Sequence, residues 1–344
     1  MCPREVGVGS KINVGLIGAG RIGRLHAENL SHHVPGARLA AVTDLDIAAA
    51  QGCAAEYGIH TVTGNHRDIL ENPEIEAVLI CSSTDTHSRL IEESAVAGKH
   101  IFCEKPIDFD LSRIDIALDK VQRAGVKLQI GFQRRYDPNF VKLRSLVQEG
   151  VLGELSILRI TSRDPEPPPL SYIKVSGGLF LDMMIHDFDM ARYLTGSEVA
   201  EIYAAGAVRL DPEIGRVGDV DTALVTLKFR NGLIGTIDCC RRSGYGYDQR
   251  VEVFGSAGMA RVENETRTRT VLTAGGAVQE ELPLFFFVER YREAFVLEMK
   301  DFIRCILEDK TPGVTGIDGR IPVVMGRAAK KSLEQNRPVK IEEQ

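Results

Sequence analysis

Short apolar runs alternate with amphipathic segments through residues 12–132. The runs are rich in Val, Ile and Leu, which is typical of strands buried on both faces of a parallel sheet. The segments between them have helical periodicity, and several end at a glycine, as helices commonly do. The predicted strands are 12–17, 39–43, 77–81, 101–103 and 128–132, and the predicted helices are 21–30, 46–57, 86–97 and 111–124. This alternation predicts an α/β domain with a doubly wound parallel sheet.

A different pattern begins after Gly153. Longer runs have β character, and Asn231-Gly232 between two of them is a strong hairpin signal. A proline cluster at 165–169 predicts a stiff loop. The predicted strands are 155–162, 198–210, 220–230, 233–241, 249–255 and 268–273, and the predicted helices are 179–194, 289–307 and 319–334. The second half therefore predicts an α+β domain with a large, mostly antiparallel open sheet.

Composition narrows the class of protein. The 344 residues carry a net charge of −6, with 26% charged and 44% hydrophobic residues, which excludes disordered and collagen-like chains. The mild acidity argues against nucleic acid or an anionic membrane as a partner, because both need clustered Lys and Arg. No run reaches the roughly 18–20 apolar residues that span a bilayer. Residues 1–11 are polar and unlike a secretory signal, so we expect a cytoplasmic protein.

The seven cysteines are an odd number and show no CxxC spacing. Most of them lie inside apolar runs, as Cys81 and Cys103 do. We therefore expect reduced thiols that pack as small hydrophobic residues, without a disulfide framework or a bound metal.

A glycine motif joins the first predicted strand to the first predicted helix. In that context GxGxxG indicates a dinucleotide-binding turn, in which the glycines permit the turn, the approach of a pyrophosphate and close helix–strand packing. The phosphates are expected at the helix N-terminus, where free amides favour an anion. The alternative is a strand–helix turn with no ligand. The candidate cofactor-binding residues of this turn are Gly18, Gly20, Arg21, Ile22 and Gly23.

Asp44 ends the second predicted strand, about 20 residues after the glycine motif, where dinucleotide-binding domains place an acid. A carboxylate there can accept both ribose hydroxyls of the adenosine and repels a 2′-phosphate, which favours NAD over NADP. The alternative is that Asp44 caps the following helix.

Polar residues also follow the predicted strand at 77–81, at the edge where doubly wound sheets bind ligands. Ser83 and Thr84 are candidates for holding the cofactor riboses. Asp85 and Thr86 are interpreted as helix caps, and His87 as a packed histidine.

Glu104-Lys105-Pro106 follows the next predicted strand at the same edge of the sheet. A lysine there can donate a hydrogen bond to an alcohol oxygen and lower the pKa of that alcohol by its charge. The peptide bond before Pro106 is a candidate for the cis form. The alternative is a surface lysine paired with Glu104.

Asp182 and His186 are four residues apart in a predicted helix, which places both side chains on one face. His186 is the only histidine after His100, and a neighbouring carboxylate can stabilise its imidazolium form. Such a pair can take the proton of a secondary alcohol during hydride transfer. A metal held together with Asp189, and a structural histidine, are the alternatives.

Four stretches resemble the Gfo/Idh/MocA oxidoreductase family, in the expected order and over nearly the whole chain: GAGRIG, EKP, GFQRRYDP and GGLFLDMMIHDFDMARYL. Within that family, DMMIHDFDMARYL and YGYDQRVEVFGS are similar to the inositol dehydrogenases. The resemblance implies an NAD-binding Rossmann domain at 11–132 and a substrate-binding, oligomer-forming α+β domain at 133–344. The final helices are candidates for packing back on the Rossmann domain.

The resemblance also implies roles for individual residues. Lys105, Asp182 and His186 are expected to be catalytic, with His186 as the proton acceptor. Cofactor contacts are expected from Ser83, Thr84, Glu104, Lys105 and Gln133, and substrate contacts from Lys105, Arg135, Asp164, Asp182, His186 and Tyr245.

The expected reaction is NAD-dependent oxidation of a cyclic polyol, myo-inositol to 2-keto-myo-inositol, by a homotetramer. One alternative keeps the chemistry and changes the substrate to scyllo-inositol or a pyranose sugar, with NAD or NADP as the cofactor. Another is a cofactor-binding regulator without turnover. Neither nucleic acid nor a membrane is expected as a partner.

Overall fold

The computed structural model describes residues 11–341, so the expectations for residues 1–10, including the thiol of Cys2, lie outside it. The described chain forms two compact units. The first contains the residues up to Tyr136 together with Glu293–Arg320, and the second contains Asp137–Arg292 together with the chain from Ile321 onward. Among residues 11–341, no helix combines the length and the apolar character needed to cross a bilayer.

Strands and helices alternate regularly at the start of the chain. These elements are β1 (Ile12–Ile17), α1 (Arg21–His32), β2 (Ala37–Thr43), α2 (Ile47–Tyr57), β3 (Thr61–Thr63), α3 (His66–Glu71), β4 (Ala77–Ile80), α4 (Thr84–Val96), β5 (His100–Glu104), α5 (Leu111–Ala124) and β6 (Leu128–Gly131). A 3₁₀ turn follows at Gln133–Tyr136.

The later elements are less regular in order. They are α6 (Pro138–Gln148), β7 (Leu155–Arg163), α7 (Leu170–Ile173), α8 (Leu179–Asp182), α9 (Ile185–Thr195), β8 (Val199–Ala207), α10 (Pro212–Arg216), β9 (Thr222–Phe229), β10 (Ile234–Cys240), β11 (Asp248–Gly255), β12 (Gly258–Val262), β13 (Leu272–Ala274), β14 (Ala277–Gln279), α11 (Phe287–Arg290), α12 (Arg292–Leu307), α13 (Gly316–Gln335) and β15 (Val339–Lys340).

The first unit contains a parallel sheet, which has six strands over the residues described, in the order β3-β2-β1-β4-β5-β6. The strand order reverses between β1 and β4, which lie side by side with Ile17 opposite Ile80. A crevice forms at the carboxyl ends of strands where such an order reverses. The doubly wound sheet predicted from the apolar runs is therefore confirmed.

The core of the first unit is built from two distant parts of the chain. Leu16 of β1, Leu79 of β4 and Phe102 of β5 pack with Met299 and Phe302 of α12, and all five side chains are fully buried. Burial of each such side chain contributes about 1.5–3 kcal/mol before the entropy cost of ordering it. Helix α12 is therefore an integral part of this unit's core.

The second unit contains a sheet with the order β12-β11-β7-β10-β9-β8-β15, seven strands within residues 11–341. β7 and β10 are parallel, and the other neighbouring pairs are antiparallel. Asn231-Gly232 joins β9 to β10, where the amide of Phe229 donates to the carbonyl of Leu233 at 2.9 Å. The predicted hairpin and the mostly antiparallel open sheet are confirmed.

The helix predicted over 179–194 is wrong as a continuous element, because α8 ends at Asp182 and α9 begins at Ile185. The amide of Met184 donates to the carbonyl of Leu179 at 2.9 Å, a spacing of five residues where a regular helix has four. Wide turns of this kind accommodate one extra residue and are frequent at functional sites. The apolar periodicity hides the interruption because Met183 and Met184 are both buried.

The strand predicted at 268–273 is also wrong for most of its length. Strand structure is confined to β13, which pairs with β14 in a small exposed hairpin. The alternating Thr and Arg residues of this segment have the period of a strand, but the residues before Leu272 lack a partner strand among those described. Helix α6 and strand β12 were not predicted, although Asp137 caps α6 by accepting from the amide of Asn139.

Candidate active site

The glycine turn between β1 and α1 has the shape that a pyrophosphate requires. Gly18 has φ +102°, and a Cβ at this position would lie 2.6 Å from the carbonyl of Cys81. A Cβ at Gly23 would lie 1.9 Å from the carbonyl oxygen of Gly18. At Gly20 a Cβ would meet nothing within 4 Å, so the backbone there is open to a ligand. The turn therefore fits a dinucleotide, and the alternative of a plain connection explains less of its geometry.

Asp44 lies directly after β2 and holds the glycine turn from one side. Its Oδ2 accepts from the amide of Ala19 at 2.6 Å, and its Oδ1 accepts from the amide of Asp46 at 2.9 Å. The cap of α2 is Asp46, which accepts from the amide of Ala48 at 3.0 Å, so the interpretation of Asp44 as the cap is wrong. A half-buried carboxylate fixed beside the turn disfavours a phosphate on the adenosine ribose.

Helix α4 begins at the carboxyl end of β4. Ser83 occupies the N-cap position, but its side chain makes no capping hydrogen bond and is exposed. Thr86 donates from Oγ1 to the carbonyl of Ser83 at 2.7 Å, which steadies the first turn. The hydroxyl of Ser83 and that of Thr84 therefore stand at the ligand edge of the sheet, whereas Asp85 is not the N-cap residue that was predicted.

Lys105 follows β5 at the same edge, and its peptide bond to Pro106 is cis. The side chain of Lys105 is half-buried at this edge. The side chain of Glu104 is held in place by a hydrogen bond with the buried His26, whose Nε2 lies 2.8 Å from Oε1 of Glu104.

Glu298 of α12 completes a buried cluster with His26 and Glu104, in which one ligating atom of each residue lies within 4.8 Å of the others. Both side-chain oxygens of Glu298 lack a hydrogen-bond partner among the described residues. Burial, and then the neighbouring Glu104, raise the pKa of Glu298 well above its ordinary value. Burial in this cluster therefore favours the neutral form of the Glu298 carboxyl over the charged form.

In the second unit, Asp182 and His186 are the half-buried positions of a segment whose other side chains from Leu179 to Ala191 are buried. Both side chains are therefore partly exposed, although the helix is interrupted between them. Met184, Phe188 and Ala191 of the same segment are fully buried. Within residues 11–341, Asp182, His186 and Asp189 do not come together at the spacing of metal ligands.

The carboxylate of Asp182 is positioned by residues that the sequence did not reveal. Its Oδ1 accepts from the hydroxyl of Tyr172 at 2.9 Å, and its Oδ2 lies 3.4 Å from Nη1 of Arg241. Arg241 is fully buried, and its Nη2 lies 3.4 Å from Oδ2 of Asp219. Asp164 also acts electrostatically on Arg241. The buried guanidinium of Arg241 therefore lies between the carboxylates of Asp182 and Asp219 and holds the Asp182 side chain in place.

The remaining predicted contact residues divide between the two units. In the first, Gln133 is buried, and Arg135 donates from Nη2 to Oδ1 of Asp318 at 2.9 Å. In the second, the hydroxyl of Tyr245 accepts from Nη1 of Arg163 at 3.2 Å and donates to Asp248. Tyr245 therefore belongs to a charged network at the ends of β7 and β11.

Comparison with known proteins places these features in context. Residues 12–132 match the model of an oxidoreductase family with an NAD-binding Rossmann fold, and residues 140–261 match the GFO/IDH/MocA C-terminal domain. The chain is 48% identical over 332 residues to myo-inositol 2-dehydrogenase of Thermotoga maritima, covering 96% of this chain and 99% of the relative. It is 44% identical over 332 residues to inositol 2-dehydrogenase of Rhizobium meliloti, with coverage of 96% and 99%. Scyllo-inositol dehydrogenase of Lactobacillus casei, solved with bound NAD(H) and scyllo-inositol, matches with a TM-score of 0.90 and 30% identity over 96% of this chain and 99% of that chain.

Proposed function

Because the chain belongs to the Gfo/Idh/MocA oxidoreductase family and its cofactor is NAD, we propose that it oxidises myo-inositol to 2-keto-myo-inositol. The observation that carries the proposal is the pair Asp182 and His186, two polar groups that reach the surface from an otherwise buried segment. The names of the relatives at 44–48% identity support an inositol as the substrate.

Each residue of the proposed set has a separate chemical task. When bound, NAD⁺ supplies the acceptor for the hydride that leaves the substrate carbon. His186 takes the hydroxyl proton as a general base. The ammonium of Lys105 donates to the same oxygen and stabilises its growing negative charge. Asp182 stabilises the imidazolium that results. For each molecule of substrate and NAD⁺ consumed, the products are one ketone, one NADH and one proton.

The rigid support of Asp182 matters for this chemistry. Tyr172 and Arg241 fix both of its carboxylate oxygens, so the charge that faces the imidazolium does not need to reorganise during the reaction. Arg241 itself is buried and far from water, which strengthens its interaction with the carboxylate.

We propose in addition that the chain forms a homo-oligomer through the open sheet of the second unit. Leu224, Ile234, Phe254 and Met259 lie on β9, β10, β11 and β12 of that sheet and are 45–58% exposed. An apolar set of this kind on one sheet face is typical of a surface covered by another chain. Light scattering during gel filtration tests the proposal, and a monomer at micromolar concentration would contradict it.

Steady-state kinetics test the reaction directly. NADH formation is followed at 340 nm with myo-inositol, scyllo-inositol and glucose as substrates. We expect His186→Ala and Lys105→Met each to lower kcat by about 10²- to 10⁴-fold, whereas the exposed His60→Ala and Lys142→Met serve as matched controls.

Three outcomes distinguish the alternatives. Higher kcat/KM for scyllo-inositol or glucose than for myo-inositol would replace the substrate and keep the chemistry. Tight NADH binding without turnover of any polyol would indicate a regulator. Near-normal kcat in the His186 and Lys105 variants would refute the proposed roles.

A further inference from the structure

His87 of α4 lies between two loops at the ligand edge of the first unit. The side chain is 2% exposed, and each of its ring nitrogens faces a backbone carbonyl. Nδ1 lies 2.8 Å from the oxygen of Pro106, and Nε2 lies 3.0 Å from the oxygen of Ser82. One carbonyl thus belongs to the residue after Lys105, and the other to the residue before Ser83.

The next residue of α4 reinforces the same connection. Ser88 donates from Oγ to Oδ2 of Asp108 at 2.6 Å, and both side chains are buried. Asp108 in turn accepts from the amide of Asp110 at 2.9 Å, which closes the segment 105–110 on itself. Two successive residues of one helical turn therefore hold the backbone that carries Lys105.

The geometry points to His87 as a positioning residue for Lys105. The His87 side chain fixes the carbonyl of Pro106, the residue after Lys105, to the first turn of α4. The same turn carries the proposed ribose-binding hydroxyls. The inference rests on the proposed function of Lys105. Since a catalytic group displaced by about 1 Å can lose about 100-fold in rate, this attachment has a direct kinetic consequence.

The protonation of the His87 ring decides which of its two contacts, with the carbonyl of Pro106 or with that of Ser82, is a hydrogen bond. A ring with one N–H can donate to only one of the two carbonyls. Burial lowers the pKa of His87, while the two carbonyls act in the opposite direction. The contact of Nδ1 with the carbonyl of Pro106 is the shorter of the two and reaches the segment that carries Lys105, so it is the contact to which the inference assigns the effect on catalysis.

Three substitutions separate the two attachments. His87→Leu removes both ring nitrogens. His87→Asn places an amide nitrogen near the position of Nδ1, toward Pro106, and His87→Gln places one near the position of Nε2, toward Ser82. Ser94→Ala is the matched control, because Ser94 is a fully buried polar residue of the same helix.

We expect His87→Leu to lower kcat about 10- to 100-fold, with the Kd for NAD⁺ within threefold of the wild-type value. His87→Asn should recover most of the lost kcat, and His87→Gln should not. Ser94→Ala should leave kcat unchanged. A purely structural role would instead change the three variants in proportion to their Tm. Normal kcat in His87→Leu, or equal kcat in the Asn and Gln variants, would overturn the inference.

Hydrogen exchange tests the attachment without any substrate. In the NAD⁺-bound protein, amides of 104–110 should exchange faster in His87→Leu than in the wild type, and those of 111–124 should not. Unchanged exchange at 104–110 would refute the attachment even if the enzyme oxidises inositol. Faster exchange in a protein that oxidises no inositol would leave the attachment standing and refute the proposed function.

Discussion

Glu298→Gln should stabilise the folded protein, and the gain should grow with pH. The carboxyl of Glu298 is fully buried, and burial, followed by the neighbouring Glu104, raises its pKa well above the ordinary value. The folded protein therefore retains a proton that the unfolded chain releases once pH passes the ordinary carboxyl range. Folding must take up that proton, so the wild type loses stability as pH rises, until pH reaches the raised pKa of the folded state.

The magnitude follows from proton linkage. One proton bound on folding lowers the free energy of unfolding by about 1.4 kcal/mol for each pH unit. Gln has nearly the same shape as a neutral Glu and does not titrate, so it lacks this slope. The stability difference between variant and wild type should therefore widen by about 1.4 kcal/mol between pH 5.5 and pH 6.5.

Urea unfolding at the two pH values measures the difference, and the titrating groups outside the cluster of His26, Glu104 and Glu298 cancel in the comparison. Glu293→Gln is the matched control, since Glu293 is an exposed residue of the same helix and should show no such widening. A difference between Glu298→Gln and the wild type that is equal at both pH values would refute the reasoning, because it would mean that Glu298 is charged in the folded protein.

Three further variants test the sites. Gly20→Ala should weaken NADH binding at least tenfold without changing Tm. Gly23→Ala should lower both the affinity for NADH and the Tm, since its Cβ would lie 1.9 Å from a carbonyl oxygen. NADH fluorescence and thermal unfolding measure the two effects, and equal Tm values for the two variants would contradict the packing argument. Asp44→Asn should reduce the preference for NAD⁺ over NADP⁺ about tenfold in kcat/KM, and an unchanged ratio would show that another group repels the 2′-phosphate. Tyr172→Phe removes the 2.9 Å hydrogen bond to Asp182 and should lower kcat about three- to tenfold, so a normal kcat would exclude that bond from catalysis.

The sequence predicts the first unit well because its signals are local. Apolar runs such as the one ending at Ile17 form strands buried on both faces, and the glycines and Asp44 have the spacing that is typical of a dinucleotide-binding turn. Helix α12 is different. Its amphipathic pattern predicts a helix, but nothing in the pattern tells which unit Met299 and Phe302 pack in, because that depends on the assembled sheet.

The candidate site was predictable only in part, for a similar reason. Asp182 and His186 are recognisable from their spacing, although the helix between them is interrupted. Arg241 is not, because an arginine at the end of a strand is normally exposed, and only tertiary structure buries it beside Asp182 and Asp219. His87 was interpreted as a packed histidine, and its contact with the carbonyl of Pro106, in a later loop, depends on tertiary structure.

The composition of the first unit also constrains how the protein can be made. A fragment that stops at Tyr136 lacks Met299 and Phe302, so two large apolar gaps would open beneath its sheet. During synthesis the core of the nucleotide-binding unit therefore stays incompletely packed until the chain has been synthesised past Leu307. An expression product cut at the apparent domain border should accordingly be prone to aggregation, whereas one that joins residues 11–136 to 293–320 through a short linker restores the missing side chains.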